Sequence, residues 1–486
     1  MYLNHKNLVS ITNAAVEKPT EKILNLPEKI IQFGTGVLLR GLPDYFVDKA
    51  NKKGIFNGRI IVVKSTSSGG VDAFKDQDNL YTTCIKGISK GEIVEENIIN
   101  ASISRVLSAR EEWNEILTTA ASPAIEVIIS NTTEAGIVES NDNINDAPPT
   151  SFPGKLLSYL YARYNAFGGD LTKGLIILPT ELISNNGDVL KKYTISLAQK
   201  NNLEDAFIHW LKAANTFCNT LVDRIVPGKF VDESLGYKDD LMIMAEPFTL
   251  WAIEASDPKV KEILSFATVD AGVVITSSVY KFKELKLRLL NGSHTFTCAY
   301  ALLQGFVTVK EAMENASFKK FIEELAFKEI GAAIESDEIT RDDINDFANS
   351  VIDRFSNPFL AHRWESISLN YTSKMVLRNV PIVEKWYSKS DDVPKHIATG
   401  FAAYIALMDT KKMDDKFFTK MEDNSFALQD DQAEKLYDHW QNKDTAVERI
   451  LADQGIWGID LTSFPGFSEE VQVQVNAIKK NNKTAV

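Results

Sequence analysis

Lys286, Asn291 and His294 stand in the stretch FKELKLRLLNGSHTF with the spacing K-x4-N-x2-H. Together the three types suit the interconversion of a ketone and a secondary alcohol, in which reduction puts hydride on carbon and a proton on oxygen. A lysine held in a partly dry, cationic site can titrate nearer neutrality and act as general acid. An asparagine amide can donate to the carbonyl oxygen as negative charge gathers there. A histidine can bond a neighbouring hydroxyl or help hold the oxygen. The apolar spacing predicts a helix over 286–303, on which the three side chains fall within an arc of about 140°. Asn291 and His294 are neighbours three apart on it. Gly292 costs helix propensity there and suggests close backbone approach. By type alone, Lys286 also reads as a solvated helix lysine and His294 as a packing residue; the joint spacing brings the two readings level.

A second constellation is IIQFGTGVLLR, where an apolar run over 29–33 stops at Gly34 and helical spacing begins at Val37. Gly34 permits a tight turn, and Gly36 lets the backbone approach a pyrophosphate at the helix N-terminus. Leu39 holds the place of a third glycine, so an ordinary strand–helix turn also fits the pattern. Phe33, Gly34, Gly36 and Arg40 are the candidate cofactor contacts around it. The next apolar run, RIIVVK, ends in Lys64 rather than in an acid that would bond a ribose 2′-hydroxyl. A cation there tolerates a 2′-phosphate, which keeps NADP open beside NAD; the other reading puts Lys64 on a solvated rim. After IEVIIS come Asn131, Thr132, Thr133 and Glu134, at the carboxyl end of a strand, where open α/β sheets bind ligands. Asn131 or Thr133 also reads as a helix cap.

The elements that must position these residues form two regimes. Strand candidates over 59–64, 125–130 and 174–178 alternate with helical patterns over 104–118 and 155–165. That alternation predicts an α/β domain with a parallel sheet and helices on both faces. Residues 1–27 are polar and predict a loose arm, and 141–153 reads as a loop. From about 280 onward long helical patterns dominate, over 286–303, 309–330 and 342–355, and strand signals nearly vanish. The expected organisation is an arm over 1–27, a nucleotide-binding domain over 28–275 and a helical substrate domain over 276–486.

Composition bounds the function. The chain has 486 residues, 44% hydrophobic and 24% charged, enough for two ordinary globular cores. Its net charge of −13 argues against a nucleic-acid or anionic-membrane surface but not against a small anionic substrate. Cys84, Cys218 and Cys298 are odd in number and unpaired in sequence, which predicts neither a disulfide framework nor a paired-cysteine zinc site. The six histidines are scattered without metal-ligand spacing, so no metal is expected. No signal-like or membrane-spanning apolar run is present, and the expected compartment is the cytoplasm.

These stretches resemble the mannitol dehydrogenase family of long-chain polyol and sugar-acid dehydrogenases. IIQFGTGVLLR is similar to the family's nucleotide turn, in which two glycines and a following arginine, here Arg40, are usual. Lys286, Asn291 and His294 match its K-x4-N-x2-H motif. FCNTLVDRIVPG, AEPFTLW and RFSNPFLAHRWESISLNYTSK match further segments, the last ending at Lys374. The resemblance implies a Rossmann-like parallel-sheet domain followed by a mainly helical domain. It also implies metal-independent catalysis, with Lys286 as acid/base and Asn291 and His294 as carbonyl and substrate ligands. SNTTEAGI, DAPPTSFPGKL and ILPTELISNNGDVL resemble the branch that acts on hexuronates. Leu182 stands where polyol members carry an oxyanion-site asparagine, and Ser366 where they carry a substrate-binding arginine. The implied reaction is reversible reduction of D-tagaturonate to D-altronate by NADH, with NAD preferred to NADP. His362 and Lys374 are the candidates for holding the substrate carboxylate. Fructuronate (mannonate) or polyol specificity on the same scaffold is one alternative, and a non-catalytic nucleotide-binding protein is another. The expected partner is a small sugar acid, not nucleic acid or membrane; the oligomeric state is left open.

Overall fold

Six short runs, most of them rich in Ile and Val, pair side by side in parallel. They are β1 (Glu28–Phe33), β2 (Arg59–Lys64), β3 (Ile103–Ser108), β4 (Val127–Ser130), β5 (Ile176–Pro179) and β6 (Thr216–Phe217). Their order is β3-β2-β1-β4-β5-β6, so the winding reverses between β1 and β4. That reversal is where a doubly wound sheet opens a crevice for a ligand. Every residue of β2, β4 and β5 is buried, as a sheet covered on both faces requires. On one face Leu42, Phe46 and Val47 pack with Ile30, Ile60 and Val62. On the other, Trp113, Leu156, Leu160 and Trp210 pack with Ile31, Ile61 and Ile128.

The computed structural model describes residues 1–65, 71–132, 136–421 and 425–484. It divides into two units, residues 1–86 with 93–279, and 87–92 with 280–486. The first unit also holds a five-stranded sheet, and here two expectations fail. The N-terminal segment is not a loose arm. Val16–Glu17 pairs in parallel with Asn97 and Ile98, and Leu3, Leu8, Ile11 and Ile23 are buried around Leu80, Ile99 and Met242. The span 104–118 is not one helix. Its first part is β3, paired with β2 through Ile60 to Lys64, and only Trp113–Thr119 is helical. After β1, the chain turns through α1 (Val37–Gly41) into α2 (Pro43–Lys52).

The second unit is mainly helical and includes the hairpin Thr410–Met413 against Lys416–Thr419. Its centre is α3 (Ser293–Leu303), which packs on α6 (Lys395–Leu407); α6 in turn packs on α7 (Phe467–Thr484). α6 is buried at every residue from Ile397 to Leu407, as a helix enclosed by others must be apolar all round. Phe355 of α4 (Arg341–Phe355) and Tyr371 of the short α5 (Tyr371–Lys374) also touch α3, at His294 and Ala299. Among the described residues three segments are π-helical: Leu285–Gly292, Leu325–Ile330 and Met375–Asn379. The expected α-helix over 286–303 is therefore a π-helix running into α3. The run over 309–330 breaks at Asn315, whose side chain caps the helix Ala316–Glu324.

Candidate active site

In the first unit the glycine turn lies at the carboxyl end of β1, beside the reversal point. Gly34 has φ +132°, and a Cβ there would come within 2.8 Å of Leu39 and 3.1 Å of the Asn131 carbonyl oxygen. Leu39, in the place of a third glycine, thus packs directly against Gly34. Gly36 caps α1, and a Cβ on it would meet no atom within 4 Å. The open space above it fits the close approach of a dinucleotide phosphate. Asn131 and Thr132 stand beside this turn at the end of β4. The Asn131 backbone N–H donates to Phe33 (3.2 Å), and its side-chain amide donates to the carbonyl and hydroxyl of Thr180 (2.9 and 3.0 Å). The backbone and hydroxyl of Thr132 both donate to Glu181 (2.8 and 3.1 Å). Burial raises the Glu181 pKa against these hydrogen bonds. Glu181 thus holds this strand end in place, a role the sequence reading missed.

Two turn candidates have other tasks. The Phe33 side chain is fully buried against Phe152 and Tyr159, so only its backbone faces the turn. The Arg40 guanidinium is turned inward: it donates to the Leu241 carbonyl and lies over the rings of Phe74 and Tyr81. Its charge is spent on packing, not on a phosphate. Lys64 is buried at the end of β2, in register with Ser108. Thr133 and Glu134 lie outside the described residues.

In the second unit Lys286 and Asn291 belong to the π-helix, and both are half-buried. A π-helix bonds residues five apart, so the Lys286–Asn291 spacing places the pair closer on one face than an α-helix would. The wider turn is stabilised by side chains. Ser293 donates to the carbonyls of Leu289 and Leu290, Thr295 to Asn291 (2.7 Å) and Thr297 to Ser293 (2.8 Å). Asn379 reaches the Gly292 carbonyl at 3.3 Å. One turn on, the Tyr371 hydroxyl accepts from the Ala299 N–H (2.9 Å) and donates to the Thr295 carbonyl (2.7 Å). It thereby inserts into the i→i−4 ladder of α3, a recognised cause of helix bending.

His294, in the first turn of α3, lies flat on Phe355, with ring centroids 3.8 Å apart at 3°. His362 and Trp364 meet it edge-on at 5.5 and 5.9 Å. Its Nε2 is buried without a hydrogen-bond partner among the described residues. Burial first, then His362 and the cations Arg354 and Arg378, lower its pKa well below 6.5, which favours the neutral imidazole. A neutral ring can exchange a hydrogen bond with a substrate hydroxyl. The Lys374 ammonium donates to the Ile367 carbonyl (2.9 Å), and Arg378, four residues on, donates to the Thr295 hydroxyl (3.1 Å). Neither cation has a carboxylate partner among the described residues. Desolvation lowers both pKa values, and Arg378 lowers that of Lys374 further. His362 is lowered by desolvation and then by Lys374. Arg378 was not singled out from sequence, although its i+4 spacing from Lys374 was there to read. Among the described residues no group of three or more His, Cys, Asp or Glu could hold a metal ion, and no helix is long and apolar enough to cross a membrane.

Comparison with known proteins gives consistent matches. Residues 28–264 match the mannitol dehydrogenase Rossmann domain, and 278–479 match the mannitol dehydrogenase C-terminal domain. The chain is 38% identical to an altronate oxidoreductase of Bacillus subtilis, over 93% of each protein. It is 36% identical to one of Shigella flexneri, over 95% of this chain and 96% of that one. Among solved structures, it resembles D-sorbitol dehydrogenase in substrate-free form, with TM-score 0.80 and 20% identity over 99% of each chain. It also resembles Pseudomonas fluorescens mannitol 2-dehydrogenase in a ternary complex with NAD and D-mannitol. There the TM-score is 0.69 and the identity 22%, over 100% of this chain and 98% of that one.

Proposed function

The chain belongs to the mannitol dehydrogenase family and is an oxidoreductase acting on CH–OH groups, and from that premise we propose that it interconverts D-tagaturonate and D-altronate with NAD. The observation that supports a sugar acid over a polyol is the pair Lys374 and Arg378. Two desolvated cations, Arg378 beside His294 and Lys374 beside His362, neither ion-paired among the described residues, suit an anionic ligand. The relatives named altronate oxidoreductase point the same way.

The Gly34–Gly36 turn and the ends of β1 and β4 fit a dinucleotide, with Gly34, Gly36, Asn131 and Thr132 as its contacts. When bound, NADH supplies the hydride. Lys286 donates its ammonium proton to the ketone oxygen, and in the reverse direction it takes the proton back from the alcohol. Asn291 donates a hydrogen bond to the same oxygen as charge develops on it. His294, neutral, orients a neighbouring hydroxyl. Lys374, Arg378 and His362 receive the carboxylate. Lys286 and Asn291 supply the proton and the polarising hydrogen bond, so no metal ion is needed for the step.

The test is NADH consumption with D-tagaturonate, D-fructuronate and D-fructose, compared with NADPH. We expect fast turnover with D-tagaturonate and NADH. Lys286→Ala should lower kcat by about 10²- to 10⁴-fold, the range for a general acid, while NADH binding persists. A preference for D-fructuronate would keep the mechanism and overturn the substrate. Wild-type activity in Lys286→Ala would overturn the catalyst.

A further inference from the structure

The two π-helical segments next to the proposed chemistry are tied to each other by side chains that no substrate-binding role requires. Arg288, in the segment Leu285–Gly292, is 7% exposed. One of its terminal nitrogens donates to both the Leu377 and the Arg378 carbonyls at 2.8 Å, in the segment Met375–Asn379. Asn379, fully buried, returns the contact: its amide donates to the Gly292 carbonyl at 3.3 Å. Widening a helix to π geometry disturbs the regular carbonyl ladder, and buried carbonyls need donors. Each segment thus supplies donors to the other's backbone.

The guanidinium is also held from behind. Its remaining nitrogens contact the Glu284 carboxylate at 3.3 Å, and Lys385 approaches the same carboxylate at 3.2 Å. Burial pushes the Glu284 pKa up, but Arg288 and Lys385 outweigh it and keep the group ionised. A planar fork can serve a carboxylate on one side and two carbonyls on the other, which a lysine cannot do.

We infer that Arg288 and Asn379 are positioning residues, a reciprocal brace that fixes Lys286 and Asn291 against Lys374 and Arg378. Lys286 lies two residues before Arg288, and Asn291 directly precedes the braced Gly292. Arg378 offers one of the braced carbonyls, and Lys374 directly precedes the second π-segment. The inference rests on the reading of Lys286 as acid/base and Lys374 with Arg378 as anion ligands.

The experiment compares Arg288→Met, Arg288→Lys, Asn379→Leu and the double variant Arg288→Met/Asn379→Leu with wild type. It reads kcat and KM with D-tagaturonate, KM for NADH, and the pH dependence of Lys286 acetylation by acetic anhydride, mapped by mass spectrometry without substrate. A misplacement of about 1 Å costs about 100-fold in rate, so kcat should fall by that order while KM for NADH stays within about threefold. The Lys286 acetylation profile should shift along the pH axis in both single variants. Because both residues act through one brace, the double variant should be no worse than the weaker single one by more than about threefold. Folded Arg288→Met with wild-type kcat and a wild-type acetylation profile would overturn the inference, as would losses that multiply in the double variant. If Arg288→Met does not fold, Arg288→Lys and Asn379→Leu decide it by the same readings. If wild type reduces no hexuronate, the functional reading falls, but the acetylation profiles still decide the brace.

Discussion

At the scale of single residues, charge separates a sugar acid from a polyol. A hydrogen bond to a charged group contributes about 1.5–3 kcal/mol, so each cation facing a carboxylate accounts for roughly 10- to 100-fold in affinity. Lys374→Met and Arg378→Met should each lower kcat/KM for D-tagaturonate by that factor, mostly through KM. An uncharged ketohexose should lose less than about threefold in the same variants, because it never formed the ion pair. Steady-state kinetics with both substrates checks this, and equal losses for the two would remove the carboxylate assignment. His294 is a different kind of group: stacked on Phe355 and surrounded by positive charge, it contributes shape and a neutral ring. Its type and spacing were legible in the sequence. Its neutrality was not, because Phe355 and Arg378 lie far along the chain.

At the scale of elements, the strand–turn–helix at Gly34 was readable because an apolar run, two glycines and a helical period are local signals. The π-helical form of Leu285–Gly292 was not, because its carbonyls are served by distant groups, Asn379 among them. The same distinction explains β3, read as the start of a helix: its pairing with β2 is a tertiary fact. It also explains the N-terminal segment, whose sparse apolar residues acquire meaning only beside the strand that Val16 joins. Below the glycine turn, the element junction carries its own test. Asp44, in the first turn of α2, is fully buried beside Gln32 of β1. Burial pushes its pKa up to about 8, against the Gln32 hydrogen bond and the Arg40 charge. The folded protein therefore keeps a proton that the unfolded chain releases above its ordinary value of 3.8. Stability from this site is full at low pH and is lost as pH rises from 3.8 toward about 8, with an upper bound of roughly 6 kcal/mol. Asp44→Asn keeps a donor in the site and removes the titration. Its melting temperature should gain on wild type as pH goes from about 5 to about 8. Parallel curves for the two proteins would mean that Asp44 is not a buried neutral acid.

At the scale of the whole molecule, the parallel sheet and the helical unit establish the fold, but a fold supports many reactions, so the electrophile must be argued from the site. Reduction of a ketone needs something positive at the oxygen, either a metal ion or a proton donor. Four of the six histidines are already engaged by other side chains. His5 pairs with Glu21, His396 with Glu329, His439 with Asp453, and His294 is enclosed by rings. On the proposed reading, Lys286 and Asn291, five apart in one π-helical segment, would be the other solution, a proton and a hydrogen bond from one face. Turnover should therefore survive exhaustive chelation and dialysis, and added Zn²⁺, Mg²⁺ or Mn²⁺ should not raise it. The check is kcat before and after chelator treatment, with metal content measured on the same sample. Activity that disappears with the metal and returns with one particular divalent ion would transfer the electrophile's role from Lys286 to that ion. Activity unchanged in metal-free protein, together with its loss in Lys286→Ala, would leave the lysine as the source of both the proton and the positive charge.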